Sequence, residues 1–256
     1  MPDPATLPMM FKALRLPAFA QHWEQFAELA EAERWTPPQY LANLCEHELA
    51  DREARRIERY THEARLPPGK TLASFDFDHV PGLDRVQVEA LANDREWVNR
   101  ARNLIVFGPS GVGKSHLAGA IAHGLIEHGV RARYTTATKL VQQLQAARQE
   151  LRLPEALVKL DKYAVLVVDD LGYVKKSEQE TSVLFELIAH RYESASLVIT
   201  ANQPFSEWDQ VFSDTMMTVA AVDRLVHHAT ILELKTQSYR KKRAQANTRG
   251  RTTDPP

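Results

Sequence analysis

Apolar side chains recur with a helical period through the first 65 residues of the chain. In the first segment they fall at i, i+3, i+4 and i+7, at Leu7, Met10, Phe11 and Leu14. The second segment has a similar spacing, at Phe19, Trp23, Phe26 and Ala30. This spacing is typical of amphipathic helices. A third helix is predicted from Pro37 to Ala64, because proline is favoured in a first helical turn. Its predicted buried face consists of Leu41, Leu44, Cys45 and Leu49.

A proline-rich segment ends this helical region. Leu66-Pro67-Pro68-Gly69-Lys70 cannot continue a helix, because proline lacks the backbone N–H and its ring clashes with the preceding turn. The sequence therefore predicts a small all-helical N-terminal domain over residues 1–66, followed by a linker into a second domain.

Short apolar runs alternate with helix-forming stretches from about residue 71. The runs are Asn103–Phe107, Val130–Thr135, Ala164–Val168, Ser196–Thr200 and Thr230–Leu234. Parallel strands need crossover connections of this length, so the pattern predicts a doubly wound α/β domain over residues 67–238. Residues 239–256 are polar and basic and are predicted to form a partly disordered tail.

Composition is ordinary for a globular protein and excludes a fibrous or wholly disordered chain. The sequence is 44% hydrophobic and 25% charged, and 32 Lys and Arg nearly cancel 33 Asp and Glu. The net charge of −1 gives no global sign of a nucleic-acid or membrane partner. A single cysteine, Cys45, and the absence of a signal-like N-terminus or an 18-residue apolar run lead us to expect a soluble, cytoplasmic protein.

The most specific chemical signal directly follows the first predicted strand. The pattern G-x-x-x-x-G-K-[ST] is matched at every fixed position by Gly108, Pro109, Ser110, Gly111, Val112, Gly113, Lys114 and Ser115. Such a loop wraps backbone N–H groups around a phosphate, and the following helix adds the positive end of its dipole. Lys114 is predicted to bridge the β and γ phosphates of ATP, and the Ser115 hydroxyl to ligate Mg²⁺.

A second Gly-Lys-Thr triplet, Gly69-Lys70-Thr71, lacks this context. The position five before Gly69 is Ala64, and no apolar strand precedes it. We therefore do not interpret it as a phosphate loop.

Two acidic residues end the third predicted strand. Val165–Val168 reads as a buried strand, and Asp169 and Asp170 follow at its carboxyl end, where ligands bind in open α/β sheets. Asp169 is predicted to hold Mg²⁺, and Asp170 to activate the attacking water. An Asp-Asp turn without a catalytic role is the alternative.

The next strand also ends in a polar side chain. Leu197–Thr200 is followed by Ala201-Asn202-Gln203-Pro204. Asn202, with Thr200 behind it, is predicted to hold the nucleophilic water or to contact the γ phosphate. Alternatively, Asn202 simply turns the chain before Pro204, since asparagine favours turns.

Together these motifs resemble the AAA+ ATPases, and more narrowly the IstB and DnaC-like branch of transposition helpers and helicase loaders. The resemblance covers about residues 71–240, and the helical leader is similar to the N-terminal domain of IstB proteins. The residues that carry it are the phosphate loop, Thr71-Leu72, Phe75-Asp76-Phe77, Val168-Asp169-Asp170-Leu171-Gly172, Ile199–Pro204, Asp223-Arg224-Leu225 and Ser238-Tyr239-Arg240.

The resemblance implies a AAA+ P-loop NTPase domain, a three-layer fold around a parallel sheet, with ATP bound between subunits of a homo-oligomer. It implies that the protein assembles on duplex DNA, remodels it, and recruits or stimulates a cognate transposase. Arg224, placed after a helix predicted from Thr215 to Val222, corresponds to the arginine that reaches the γ phosphate of a neighbouring subunit. A surface arginine paired with Asp223 is the alternative.

Further nucleotide contacts are implied by the same resemblance. Arg240 corresponds to a sensor arginine that contacts the nucleotide in cis, although the usual C-terminal lid is nearly absent. Phe75 and Phe77 correspond to residues that flank the adenine, and packing of both rings into the core is equally open.

One departure from the AAA+ pattern affects the rate of hydrolysis. Many AAA+ proteins have Glu where this chain has Asp170, whose side chain is one methylene shorter. We therefore expect slow hydrolysis that acts as a switch. A replicative helicase loader is the main alternative function, and a small-molecule P-loop kinase is the second, although the latter leaves Asp223-Arg224-Leu225 unexplained.

Three segments carry basic residues that are candidates for phosphate contacts with DNA. On the third helix Arg52, Arg55, Arg56 and Arg59 share one face, but Glu48 and Asp51 can pair with them, so a solvated salt-bridged face is the alternative. The tail carries Arg240, Lys241, Lys242 and Arg243 beside few acids. Lys139 lies in the long connection 136–159, where a solvated helix is again the alternative.

Overall fold

The computed structural model of the chain describes residues 3–171, 177–204, 207–208, 215–236 and 238–239. The chain divides into two compact units, residues 1–59 and 60–256. The boundary between the units falls inside a long helix. This helix ends at Ala64, and the predicted domain boundary is at residue 66. Among the described residues, no helix combines the length and the apolar character needed to span a membrane.

The helices of the first unit have the predicted positions. They are α1 (Leu7–Ala13), α2 (Pro17–Glu33) and α3 (Pro37–Ala64), the last of which continues into the second unit. Each has proline in its first turn, where the missing N–H costs no hydrogen bond. Helix α2 ends at Glu33 and is capped by Arg34. This residue adopts a left-handed conformation (φ 56°) and donates its N–H to the carbonyl of Glu31.

The predicted buried face of α3 is wrong at three of its four positions. Leu41 and Leu49 are 54% and 66% exposed, and Cys45 is exposed. In the stretch from Leu41 to Leu49 the buried residues are Leu44 and Glu48, which lie one helical turn apart. A prediction from apolar periodicity cannot identify a buried carboxylate. The predicted buried face therefore did not include Glu48.

Glu48 is buried because it joins the helices of this unit by hydrogen bonds. Its carboxylate accepts the backbone N–H of Ala18 at the start of α2 (2.8 Å) and the Nε–H of Arg52 (2.7 Å). Arg52 also donates to the carbonyl of Arg15 (2.8 Å). Burial opposes ionisation of Glu48, but the hydrogen bonds from Arg52 and Ala18 and the charge of Arg52 outweigh it and lower the pKa of the carboxyl.

Replacing Glu48 with Gln is expected to lower the free energy of unfolding by about 1–2 kcal/mol at pH 7, because a charge-assisted network loses its acceptor. Since the folded-state pKa lies below the ordinary glutamate value of about 4.3, this contribution is present above that value and lost as the pH falls through the folded pKa. Urea unfolding of the full chain followed by circular dichroism measures the difference. The difference in free energy of unfolding between the wild-type protein and Glu48→Gln should become smaller below about pH 4.

Glu46→Gln, an exposed site on the same helix, is the matched control and should leave unfolding unchanged. A Glu48→Gln difference that stays the same between pH 7 and pH 3.5 would contradict the assigned role of the ionised carboxylate.

The second unit is built around a parallel sheet. The described strands are β1 (Asn103–Phe107), β2 (Ala132–Thr136), β3 (Val165–Leu171), β4 (Ser196–Ala201) and β5 (Ala229–Glu233), in the order β2-β3-β4-β1-β5. All of their pairings are parallel. The predicted α/β class is confirmed, and each predicted apolar run overlaps one of these strands.

Helices flank the sheet to give three layers. They are α4 (Arg85–Asn93), α5 (Glu96–Asn99), α6 (Lys114–Glu127), α7 (Ala137–Gln149), α8 (Leu153–Val158), α9 (Glu178–Arg191) and α10 (Thr215–Val226). Buried side chains of α7, α9 and α10 form one core cluster with the sheet. Helix α6 contacts β1 through β4 and also packs against α4, with buried Leu117, Ile121 and Leu125.

Among the element boundaries that differ from the prediction, two affect the site. Strand β3 continues through Asp169 and Asp170 to Leu171, with a bulge between Val168 and Leu171 where it pairs with β4. Helix α10 continues to Val226, so Arg224 lies inside the helix and not after it. In the helix the Nη1 of Arg224 donates to the carbonyl of Ala220, one turn earlier, at 3.0 Å.

A buried arginine joins the amino ends of two central strands. Arg191 is 1% exposed, and its guanidinium donates to the carbonyls of Leu160, Tyr163, Ala164 and Ser196 at 2.9–3.3 Å. Burial lowers the pKa of Arg191 to about 10, against the opposing effect of Asp161, so the side chain stays charged at neutral pH. The loops before β3 and β4 are thereby held by one side chain.

Candidate nucleotide-binding site

The loop between β1 and α6 has the backbone that a phosphate loop requires. Gly108 and Gly113 have φ angles of 149° and 106°, which favour glycine. A Cβ on Gly108 would lie 2.5 Å from the carbonyl oxygen of Leu234, and one on Gly113 would lie 3.2 Å from the ring of Phe75. Conformation favours glycine at both positions, and close packing against backbone also requires it at Gly108, whereas at Gly113 the Phe75 ring would have to shift by a few tenths of an ångström.

Lys114 begins α6 and is only 5% exposed. Its Nζ donates to the carbonyls of Gly108 (2.8 Å) and Pro109 (2.8 Å) and to the Oδ1 of Asn202 (2.7 Å). The ammonium group is thus held inside the curve of the loop, where phosphate oxygens would compete with these acceptors.

Asn202 connects Lys114 to the acidic end of β3. While its Oδ1 accepts from Lys114, its Nδ2 faces Asp170 Oδ1 at 3.5 Å. The structure therefore brings together three predicted catalytic side chains, Lys114, Asp170 and Asn202. The amide of Asn202 lies between the other two side chains. A residue that only turned the chain before Pro204 would not need these two contacts.

Asp170 projects into the cleft because of the bulge in β3. Its φ is 62°, a left-handed conformation that is uncommon for residues other than glycine. Its backbone N–H donates to the Thr200 hydroxyl of β4 (2.9 Å), which fixes this conformation. Its side chain is exposed, whereas the side chain of Asp169 is buried.

The carboxylate of Asp169 is held by two hydroxyl groups. Thr200 Oγ1 donates to Oδ1 at 2.5 Å, and the phenol of Tyr134 donates to Oδ2. Burial, followed by the hydrogen bond and charge of Asp169, raises the pKa of Tyr134, while a hydrogen bond with the Ser115 side chain acts in the opposite direction. The phenol therefore remains a donor, and it interacts with both predicted metal ligands. Sequence reasoning did not identify Tyr134.

These donors fit a magnesium ion. Mg²⁺ prefers oxygen ligands, and Ser115 and Asp169 supply a hydroxyl and a carboxylate, the latter held by Tyr134. Held there with the nucleotide, the ion would neutralise charge on the β and γ phosphates.

An open cleft of about 440 Å³ extends from the phosphate loop. Its lining includes Ser110–His116, Asp170 and Asn202. The other lining residues are Gly69, Lys70, Ser74, Phe75, Asp76, His79, Val80 and Tyr239. Such a volume is within the range of small-ligand sites.

Gly69 and Lys70 of the Gly69-Lys70-Thr71 segment, which does not form a phosphate loop, line the same cleft. His116 Nε2 lies 3.1 Å from both the Thr71 carbonyl and Ser74 Oγ, which fastens this segment to α6. Burial lowers the pKa of His116, the Thr71 carbonyl partly offsets this effect, and the charge of Lys70 adds to it. Sequence separation from the phosphate loop concealed this neighbour.

The two predicted adenine contacts are placed differently. Phe75 is 8% exposed, lines the cleft and packs on Gly113. Phe77 makes an edge contact with Phe75 (4.9 Å between centroids), and the Arg85 guanidinium lies over its ring. Phe77 is not among the residues that line the cleft. Packing therefore accounts for Phe77, and its contact with adenine stays a prediction.

The C-terminal segment reaches the phosphate loop at Tyr239. Its backbone N–H donates to the carbonyl of Gly111 (3.0 Å), and its ring lies 5.0 Å from that of His79. The predicted sensor residue Arg240 lies outside the described residues, as do Lys241, Lys242 and Arg243.

Arg224 lies in a separate groove and does not line the cleft. This groove of about 580 Å³ is lined by Tyr192, Met216, Val219, Ala220, Asp223 and Arg224. The Arg224 guanidinium lies 5.2 Å from the centroid of the Phe185 ring. Among the described residues there is no ion pair between Arg224 and Asp223. The structure therefore does not support the alternative of a surface arginine paired with Asp223.

The arginines of α3 have acidic neighbours. Arg52 pairs with Glu48, Arg55 lies 3.9 Å from Asp51, and Arg56 pairs with Glu53. These contacts favour the alternative of a salt-bridged face for Arg52, Arg55 and Arg56, whereas contact of Arg59 with DNA stays a prediction. Lys139 is exposed in the first turn of α7.

The phosphate loop, the acidic end of β3, Asn202 on the adjacent strand and the parallel strand order define a AAA+ P-loop ATPase. The sequence model of the IstB-like ATP binding protein family matches residues 9–247, and the chain belongs to this family.

Two relatives of the chain are ATP-binding proteins of insertion sequences. An insertion sequence ATP-binding protein of Sinorhizobium fredii is 55% identical over 97% of this chain and 84% of its own length. The ATP-binding protein of insertion sequence IS21 from Pseudomonas aeruginosa is 36% identical over 97% of this chain and 94% of its own length.

Solved structures share the fold. AMPPCP-bound DnaA from Aquifex aeolicus has a TM-score of 0.55 at 18% identity, covering 75% of this chain and 58% of that chain. The DnaC helicase loader has a TM-score of 0.50 at 20% identity, covering 59% and 87%. At these identities the likeness is one of fold alone.

Proposed function

We propose that this protein is the ATP-dependent helper of an insertion-sequence transposase. In the ATP-bound state it assembles on duplex DNA, deforms the duplex, and recruits or stimulates the transposase, with hydrolysis as the release switch. The names of its relatives, which are ATP-binding proteins of insertion sequences, support a role in transposition. The ATP site described above supplies the energy source.

The observation that carries the assembly step is the position of Arg224. It lies in a groove outside its own cleft, beside Met216 (84% exposed) and Val219 (65% exposed). Exposed apolar side chains around a cation are suited to contact with another protein surface. In a homo-oligomer, Arg224 would reach the γ phosphate bound by the next subunit. ATP would then lie at the subunit interface.

The roles of the other residues follow from their contacts. Lys114 binds the β and γ phosphates, with the backbone N–H groups of the loop around them. Ser115 and Asp169 would hold Mg²⁺. Asp170 accepts a proton from the attacking water, and Asn202, placed between Lys114 and Asp170, orients that water.

The position of Asp170 supports slow hydrolysis. Its carboxylate is one methylene shorter than glutamate, and its backbone is fixed by Thr200 and the bulge in β3. A backbone shift that advanced the side chain toward the water would break the hydrogen bond to Thr200. A neighbouring subunit that adds Arg224 would raise the rate by roughly 10³–10⁵-fold, as arginines supplied in trans do in other nucleoside triphosphatases.

DNA contacts are proposed on two surfaces. Helices α7 and α8 form the long connection between β2 and β3, and Lys139 is exposed at its start. The basic tail begins one residue after Tyr239, which contacts the phosphate loop. Such residues neutralise phosphates without reading sequence.

Duplex DNA is expected to stimulate ATP hydrolysis by at least about tenfold, because assembly brings Arg224 to the neighbouring site. The ATPase rate is measured with and without duplex DNA across a salt series, and the stimulation should decline steeply as salt rises. Removing the tail by a stop after Tyr239 should reduce the salt dependence.

An ATPase rate that is fast without DNA would contradict the switch. A DNA-independent rate combined with a tight complex with a hexameric helicase would instead favour the helicase-loader function.

A further inference from the structure

Tyr134 is a polar side chain that interacts with the predicted magnesium ligands and has no role in the proposed reaction. It lies on β2, next to β3, in register with Val167 and two residues before the position opposite Asp169. Its phenol donates to Asp169 Oδ2 and interacts with the Ser115 side chain. The hydrogen bond to Asp169 therefore joins β2 to the acidic end of β3.

The hydrogen bonds of Asp169 restrict its carboxylate on both sides. Thr200 donates to Oδ1 from β4, and Tyr134 donates to Oδ2 from β2. Because the two donors come from the strands on either side of β3, rotation of the carboxylate about its terminal bond would break one of them. Hydroxyl donors to a carboxylate form short, charge-assisted bonds of this kind.

A carboxylate fixed in this way is prepared for a metal ion. Each oxygen that accepts one hydroxyl keeps a second lone pair, and the plane of the group is set before the ion arrives. Partners behind metal ligands typically contribute 10–100-fold to metal affinity. A phenylalanine at position 134 would fill the same space on β2 without this hydrogen bond.

We infer that Tyr134 is a positioning residue of the magnesium site, whose phenol presets the orientation of Asp169 relative to Ser115. This inference rests on the proposed roles of Ser115 and Asp169 as magnesium ligands. It adds a residue that acts on metal affinity and has no direct part in nucleotide binding.

The test compares Tyr134→Phe with Tyr163→Phe, a matched removal of a hydroxyl from another tyrosine of the same unit. Tyr163 is 6% exposed, and the described contacts of its ring are with Arg131, Arg133 and Lys162, away from Asp169. Binding of Mn²⁺ to the full-length protein with AMPPCP is measured by electron paramagnetic resonance. Binding of a fluorescent ATP analogue in EDTA is measured in parallel.

We expect Tyr134→Phe to weaken Mn²⁺ binding by about 10–100-fold. Tyr163→Phe should bind Mn²⁺ like the wild-type protein, and all three proteins should bind metal-free nucleotide equally. Thr200→Ser, which keeps a hydroxyl on β4, should retain Mn²⁺ binding, whereas Thr200→Val should lose it.

Wild-type Mn²⁺ affinity in Tyr134→Phe would overturn the inference, and so would tighter binding, which would make the phenol a competitor of the metal. If Ser115→Ala and Asp169→Asn bind Mn²⁺ as well as the wild-type protein does, the assignment of the metal ligands fails, and the inference fails with it. If the wild-type protein binds the nucleotide neither with nor without metal, the ATP site itself is wrongly assigned.

Discussion

Lys114→Ala is expected to lower ATP turnover by at least about 10²–10³-fold, because removal of one preorganised donor to a developing charge typically has this cost. Lys114 is almost completely buried, and its ammonium is fixed by three oxygens. No described neighbour is placed to replace it inside the loop. ATP hydrolysis and binding of a fluorescent nucleotide are the measurements. Lys12→Ala, an exposed lysine on α1, is the matched control.

The same variant tests whether Arg224 acts in trans. Arg224→Ala and Lys114→Ala proteins should each be inactive alone with duplex DNA. Mixed together they should regain activity, because an intact phosphate loop on one subunit then meets an intact Arg224 on the next. Arg95→Ala, an exposed arginine of the same unit, should retain wild-type activity alone. A mixture without recovered activity would contradict an arginine shared between subunits.

Arg191→Met is expected to lower the free energy of unfolding by about 3–5 kcal/mol. The variant keeps most of the side-chain volume but removes the donors to the carbonyls of Leu160, Tyr163, Ala164 and Ser196. Buried acceptors without donors are costly, and these lie where two central strands of the sheet begin. Urea unfolding of the full chain measures the change.

Arg191→Lys separates charge from geometry. It keeps the charge but has a single donor group, so it should recover only part of the lost stability. Full recovery by Arg191→Lys would mean that the charge, and not the branched set of hydrogen bonds, stabilises these loops. Arg95→Met, at an exposed site, should unfold like the wild-type protein.

The parts of the fold that depend on local pattern could be predicted from the sequence. Each of the five β-strands described here overlaps a predicted run. The runs of β1, β3 and β4 are apolar because these central strands are buried almost throughout, whereas the edge strands β2 and β5 are partly exposed. The phosphate loop was identified because its glycines and lysine have fixed spacing. Asp169 and Asn202 were found because side chains at the carboxyl ends of adjacent parallel strands lie at one edge of a sheet.

What could not be predicted depends on contacts between residues far apart in sequence. Tyr134 looks like an ordinary strand residue until β2 pairs with β3 and brings its hydroxyl to Asp169. Glu48 resembles a surface acid until the N-terminus of α2 supplies its donor. Lys70 was set aside with its triplet because sequence spacing cannot reveal that residues 69–75 pack along α6.

Gly108 limits what mutagenesis of the phosphate loop can reveal. A methyl group there would overlap the carbonyl oxygen of Leu234, just after β5, before any nucleotide is considered. Gly108→Ala would therefore displace the edge of the sheet and the start of the C-terminal segment together with the loop. Loss of activity in that variant would confound a structural defect with a binding defect, so Lys114 and Ser115 are the positions whose substitution isolates the chemistry.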